Sequence, residues 1–223
     1  LPTPTGTLLA PFVASRADGF DGLRLVRLPF VPEIRLHLAD DAIVLRARLE
    51  ARAGPGLTPF WADAWAGGQA LARYVLDHPQ VVAGRRVLDV ASGSGLVAIA
   101  AAKAGAAEVT ANDIDPYALA AVAMNATVNA VNVAVSEGDL LVGDGGDADV
   151  ILAGDAFYDA DLAARMLGFL RRSAARDARV LVGDPGRGHL PRWLKVLTSY
   201  RVSSLGAAED AELTEVSVLG PAG

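Results

Sequence analysis

The chain has 223 residues, 52% of them hydrophobic and 21% charged, with a formal net charge of −6 and a pI near 5.0. That length suits one full α/β core with an added segment, and the acidic balance argues against a nucleic-acid partner, because phosphate-tracking surfaces draw their affinity from clustered Lys and Arg. There is no cysteine, and His37, His78 and His189 lie far apart with none of the usual ligand spacings, which excludes disulfides and thiolate zinc sites and disfavours a metal enzyme.

No apolar run reaches the ~18 to 20 residues of a membrane span. The longest, GLVAIAAAKAGAA, is cut by Lys103 and Gly105. The opening LPTPTGTLLAPFVASR carries an apolar patch with no basic region before it, unlike a secretory signal. The expectation is a soluble, cytoplasmic, monomeric protein.

Residues 1–56 are predicted to form an N-terminal extension or cap, ahead of a domain over 57–223. Within the extension, EIRLHLAD (Glu33 to Asp40) alternates, predicting a strand with Ile34, Leu36 and Leu38 on one face. Next, DDAIVLRARLEAR (Asp40 to Arg52) opens on aspartate with helical spacing and reads as a short helix. PFWADAWAGGQALARYVLDHP then places Trp61 and Trp65 in a loop before a helix from Gly67 to Asp77.

From Arg86 the texture alternates. Strands are predicted at 86–91, 107–112, 132–136, 148–154, 179–183, 199–204 and 212–219, with helices at 94–104, 115–130, 159–173 and 189–197. Such alternation implies a mostly parallel sheet wrapped by helices on both faces. The last two strands, with no helix between them, suggest an antiparallel hairpin at one edge. The acidic GDGGDADV (Gly143 to Val150) lacks a calcium-loop register and reads as a solvated turn.

VLDVASGSG (Val87 to Gly95) is the chemically informative stretch. Gly93, Gly95 and Ala98 satisfy G-x-G-x-x-A, and Asp113 ends the next strand, a layout that serves dinucleotides and S-adenosylmethionine alike. Asp89 discriminates between them. A carboxylate four positions before Gly93 would repel a pyrophosphate and attract the ammonium and sulfonium of S-adenosylmethionine, so the methyl donor is favoured. Asp113 can accept both ribose hydroxyls. Asp115 before Pro116 is a helix start that needs no ligand. Asp139 could accept the adenine amino hydrogens or sit in a solvated turn. Trp61 and Trp65 before the Gly67-Gly68 pair could form an apolar lid on a flexible hinge, or pack against the sheet.

Taken together, VPEIRLHLADD, PFWADAWAGGQALARYVLD, RRVLDVASGSGLVAIAAAKAGA, TANDIDPYAL, ILAGDAFYD and VLVGDPGRG span Val31 to Gly188. In this combination the chain resembles the seven-strand protein lysine methyltransferases, in particular the branch, in its bacterial form, that acts on the β subunit of electron transfer flavoprotein. The resemblance implies a Rossmann-like class I methyltransferase fold, with S-adenosylmethionine as donor and S-adenosylhomocysteine as product. It also implies a cofactor site at Asp89, Gly93, Gly95 and Asp113, with Trp65 and Gly67 lining it, and the flavoprotein β subunit as protein partner.

The acceptor site is expected where the strand order reverses, beyond the strand ending at Gly154. Asp155, Phe157 and Tyr158 fall there. Asp155 would dock the lysine ammonium next to the donor, and Tyr158 and Phe157 would hold the alkylated cation by cation–π contact. Helix capping after this turn is already served by Asp159 with Asp161. Base methyltransferases typically carry Asn or Asp, Pro-Pro and an aromatic here, and Ala156-Phe157 breaks that pattern. Asp184 and Arg187 in GDPGRGH either contact substrate or hold a turn. Ribosomal-protein methylation, an NAD-dependent oxidoreductase without an evident catalytic constellation, and a silent cofactor-binding module are the competing readings.

Overall fold

The alternation read at Ile34, Leu36 and Leu38 becomes a strand from Arg35 on, and all three inward side chains are at most 4% exposed. A computed structural model describes residues 22–56, 58–190, 193–203 and 213–221. The first 21 residues of the extension and its boundary residue 57 thus lie outside the described residues. Strands β1 (Leu23–Arg27) and β2 (Arg35–Ala39) pair antiparallel, and α1 (Ala42–Ala53) follows, capped by Asp41, whose carboxylate accepts from the Ile43 and Val44 amides. A 3-10 turn at Phe60–Ala62 then leads into α2 (Ala66–Asp77).

The alternating part follows as β3 (Arg86–Val90), α3 (Leu96–Lys103), β4 (Glu108–Asp113), α4 (Pro116–Val128), β5 (Ala134–Glu137), β6 (Val150–Gly154), α5 (Ala160–Ala174), β7 (Arg179–Asp184), β8 (Leu194–Val202) and β9 (Thr214–Pro221). The seven-stranded sheet runs β5-β4-β3-β6-β7-β9-β8, with β9 antiparallel to β7 and β8 antiparallel to β9. The order therefore reverses between β3 and β6, as expected of this α/β class.

Period-2 alternation in the central strands divides the core between the two faces. Val87, Val150, Leu152 and Leu181 pack with α2 and α3, while Leu88, Val90, Ile151, Ala153, Val180 and Val182 pack with α5. The α5 face supplies Met166, Phe169 and Leu170, all fully buried, each contributing about 2 kcal/mol by area removed from water. The β1–β2 hairpin packs on the outer side of the first layer, and Leu23, Leu45, Leu49 and Trp61 close a smaller cluster against Ala118 and Ala121 of α4.

Three expectations are corrected. No helix spans 189–197, since β8 already begins at Leu194, although residues 191–192 are outside the described set. A register shift between Val196 and Thr198 interrupts the strand's alternation, and the ladder with β9 overrides the local helical spacing. The Gly67-Gly68 pair is no hinge. Both glycines lie buried inside α2, where a Cβ on Gly67 would meet the Gly183 carbonyl oxygen at 2.4 Å and one on Gly154 would meet the Gly68 Cα at 2.9 Å. The acidic turn is also more than solvated: Asp147 and Asp149 pair with Arg86, and Asp144 pairs with Arg176.

Candidate functional site

The carboxyl ends of β3, β4 and β6 converge under the Thr58–Trp65 segment. On the β3 side the loop Ala91 to Gly95 turns into α3 through Gly93 at φ +52° and Gly95 at φ +79°, conformations that suit glycine. Gly95 also lies so close to α4 that a Cβ would meet Val122 at 3.1 Å. The loop is held by carboxylates and an amide. Asp113 Oδ2 accepts from the Gly93 amide at 2.9 Å and its Oδ1 from the Asp115 amide at 3.1 Å. Asn125 Nδ2 donates to the Ser94 carbonyl at 2.9 Å.

Asp89 departs from its expected place. It is 1% exposed, and its Oδ2 accepts from the Ala98 amide at 3.0 Å inside the first turns of α3, so it is not an open carboxylate on the crevice wall. Burial, reinforced by nearby Asp113 and opposed by the Ala98 bond, pushes its pKa up to about 8. Asp115 is the N-cap of α4, accepting from the Tyr117 amide, with Pro116 at the first helical position. Asp139 accepts from the Leu141 amide and pairs with Arg165, which holds its carboxyl below the usual range. That is the geometry of a turn tied to α5.

The β6 side is built around Asp155. Its φ of +62° is uncommon for a residue with a side chain and marks a turn held by its surroundings. The Asp155 amide donates to Gly183 O at 2.8 Å, its Oδ2 accepts from the Gly67 amide at 2.6 Å, and Oδ1 pairs with Arg187. The carboxylate thus sits on the N-terminus of α2, where the helix dipole favours an anion. Asp184 is fully buried and its Oδ1 accepts from the Gly186 and Arg187 amides, so this aspartate holds the turn that presents Arg187. Its own pKa is raised by burial.

Phe157 is the clearest correction at the site. The left-handed turn at Asp155 sends its ring into the core beside α5, fully buried, so it cannot meet an acceptor cation. Tyr158 is 51% exposed, with its pKa raised by burial and by Asp113. The residue that sequence reasoning missed is Phe60. Its ring lies 5.7 Å from that of Tyr158 and 6.2 Å from that of Trp65, and all three are substantially exposed. Trp65 Nε1 donates to the Phe60 carbonyl at 2.8 Å, fixing the pair. Trp61 instead is buried and stacks on Tyr117 at 6.4 Å, packing the segment down over the glycine loop.

Comparison with known proteins gives this geometry a family. A Xenopus laevis electron transfer flavoprotein beta subunit lysine methyltransferase is 41% identical over 197 residues, covering 85% of this chain and 80% of the relative. The Homo sapiens protein of that name is 38% identical over 199 residues, covering 85% and 74%. The chain belongs to this methyltransferase family. The ribosomal protein L11 methyltransferase family (PrmA) matches the narrower span 69–154. Among solved structures, TrmN from Thermus thermophilus is 25% identical with a TM-score of 0.51, covering 80% of this chain and 53% of its own. Trm5b from Pyrococcus abyssi, 18% identical with a TM-score of 0.55 over 92% of this chain and 56% of its own, shares the fold.

As a family member the enzyme takes its methyl group from S-adenosylmethionine. The residues present fit that donor. Beside the positive-φ glycines, Ser92 Oγ is buried without a hydrogen-bond partner in the glycine loop, an orphan that a ligand's polar group would satisfy. Asp113 stands half-buried at the tip of β4, with its remaining lone pairs available to ribose hydroxyls.

Proposed function

We propose that this enzyme methylates lysine side chains of the β subunit of electron transfer flavoprotein. The observation that carries this reading is the 41% identity to a relative of that name over 80% of its length. The narrower ribosomal-protein match ends at residue 154, before Asp155 and Tyr158, and so does not reach the acceptor side. In the same reading the β1–β2 hairpin and α1 are the cap of an N-terminal extension, and the protein works as a cytoplasmic monomer without a nucleic-acid partner.

A lysine ammonium has a pKa near 10.4, so presenting its free amine at pH 7.4 costs about 4 kcal/mol. Arg187 on Asp155 Oδ1 marks where a cation is welcome. An arriving ammonium replaces the guanidinium there and then loses its proton to water before the crevice closes. When bound, S-adenosylmethionine supplies the methyl carbon: a C–N bond forms, the C–S bond breaks, and sulfur keeps the electron pair in neutral S-adenosylhomocysteine. Tyr158, with Phe60 and Trp65 beside it, flanks the alkylated cation by cation–π contact. Most of the rate gain comes from alignment of the amine with the donor.

The test is incubation of the full chain with labelled donor and purified electron transfer flavoprotein, with ribosomal protein L11 in parallel. Mass spectrometry should place the label on lysines of the flavoprotein β subunit. Label confined to L11 would replace this reading with the ribosomal one.

A further inference from the structure

Beside the crevice runs a second concavity of about 780 Å³ between the β1–β2 hairpin, α1 and the Thr58–Trp65 segment. Its walls carry a concentration of exposed apolar side chains. Ile43 is 81% exposed, Phe60 49% and Trp65 42%, and contiguous apolar surface of this kind marks an interaction site. Phe60 and Trp65 belong to both places: they line the groove and they form the aromatic rim with Tyr158. The groove therefore opens onto the acceptor site.

Its charges are not balanced. Arg24 pairs with Asp40 and Arg46 with Glu50, so these four cancel. Asp63, also lining the groove, accepts only from the Ala64 amide and pairs with no cation among the described residues. One unopposed carboxylate next to Trp65 favours a cationic visitor.

Resting on the lysine-methylation reading, we propose that this groove docks the segment of the protein substrate that carries the acceptor lysine, with an aliphatic side chain against Ile43 and a second basic side chain against Asp63. The occupant is a stretch of polypeptide, because the apolar wall and the lone carboxylate are spread along one channel that ends at the methyl-transfer rim. Apolar burial and one charge contact drive the fit.

Ile43 is the second residue of α1 and contributes nothing to the buried core, so Ile43→Lys leaves the fold intact while opposing both features. Steady-state kinetics with the flavoprotein β subunit should give a KM at least tenfold higher, about 1.4 kcal/mol, with kcat at saturation and donor affinity unchanged. Asp63→Asn should raise KM less and weaken its salt dependence. An unchanged KM in both variants would overturn the docking proposal while leaving the substrate reading intact. If the wild-type enzyme labels a different protein, the substrate reading fails and the same KM comparison on that protein decides the groove. If it labels no protein, both fall. A photo-crosslinker in place of Ile43 gives a second readout. Crosslinks to the substrate support the proposal; crosslinks in its presence only to residues 1–21 of the same chain, or to a second copy, overturn it.

Discussion

The two ends of the crevice are built from different materials. At the glycine loop, Asp89 and Asp113 accept from backbone amides and Asn125 donates to a carbonyl, so side chains fix main chain and the surface offered to a ligand is largely backbone. At the rim, Phe60, Trp65 and Tyr158 expose their rings. On the proposed reading the lesson is a division of labour: a donor common to many enzymes meets a preformed backbone cradle, and a particular acceptor meets replaceable side chains. On the rim side Asp155 is a joint of its own, gripping α2 through Gly67 and the turn after β7 through Arg187.

The largest effect should come from breaking that joint. Gly67→Ala pushes a methyl to 2.4 Å from the Gly183 carbonyl oxygen, against backbone that cannot swing aside. We expect a loss of about 3 kcal/mol or more in unfolding free energy, read by urea titration, with activity abolished. Gly93→Ala is the control on the other side. There a Cβ meets only the Trp61 Cα at 3.8 Å, and the cost is the positive φ alone, about 1 kcal/mol. Equal destabilisation by the two would mean that α2 yields and is not the rigid element described.

Next in size is Asp155→Asn, which keeps the shape and removes the charge. Turnover on protein substrate should fall by about 10² to 10⁴ while the donor dissociation constant changes little. If Asp155 only oriented an amine that is already neutral, raising the pH from 7 to 9.5 would restore much of the lost rate. Wild-type turnover in the variant would remove Asp155 from the mechanism and leave Tyr158 as its candidate. Asp113→Ala sharpens the other end, because it releases the Gly93 and Asp115 amides together. Donor affinity measured by calorimetry should drop at least tenfold, about 1.4 kcal/mol, with kcat at saturating donor nearly preserved.

How much of this was legible in the sequence follows the same division. As far as β7, the strand and helix alternation, the glycine loop and the Asp115 and Asp159 caps are local patterns, and each appears close to where its spacing put it, whereas the helix read at 189–197 gives way to β8. What the sequence hid depends on distant contacts. Asn125 and Asn129 bond the backbone of β2 about ninety positions away, at Arg35 and His37, and Asn125 also holds Ser94, so the hairpin and the glycine loop are linked by residues with no motif. Phe157 and Tyr158 are neighbours, yet one is core and the other rim, because the left-handed turn at Asp155 sets their directions. Phe60 sits in a loop and acquires meaning only through the Tyr158 ring opposite.

The last expected effect concerns Asp89, is spread over several pH units, and has a sign opposite to that of a surface carboxylate. Burial raises its folded-state pKa to about 8, above the unfolded value near 3.9, so the native state binds the extra proton between those limits. Stability from this group is therefore full below pH 4 and declines as pH rises toward 8. Asp89→Asn can still accept from the Ala98 amide through its carbonyl oxygen but has no charge to bury. In the absence of donor, the variant should match the wild type near pH 3.5 and gain on it by about 1.4 kcal/mol for each pH unit between 5 and 7, read from urea unfolding across that range. If the donor binds at the glycine loop as proposed, its cationic ammonium and sulfonium should reverse the preference by favouring the ionised carboxylate through the loop. Donor binding to the wild type at pH 7 should then release a proton, seen as a buffer-dependent calorimetric enthalpy, and the variant should lose that dependence. A variant less stable than the wild type at pH 7 would mean that the Ala98 bond needs the full charge, and that the donor end of the crevice is held by electrostatics after all.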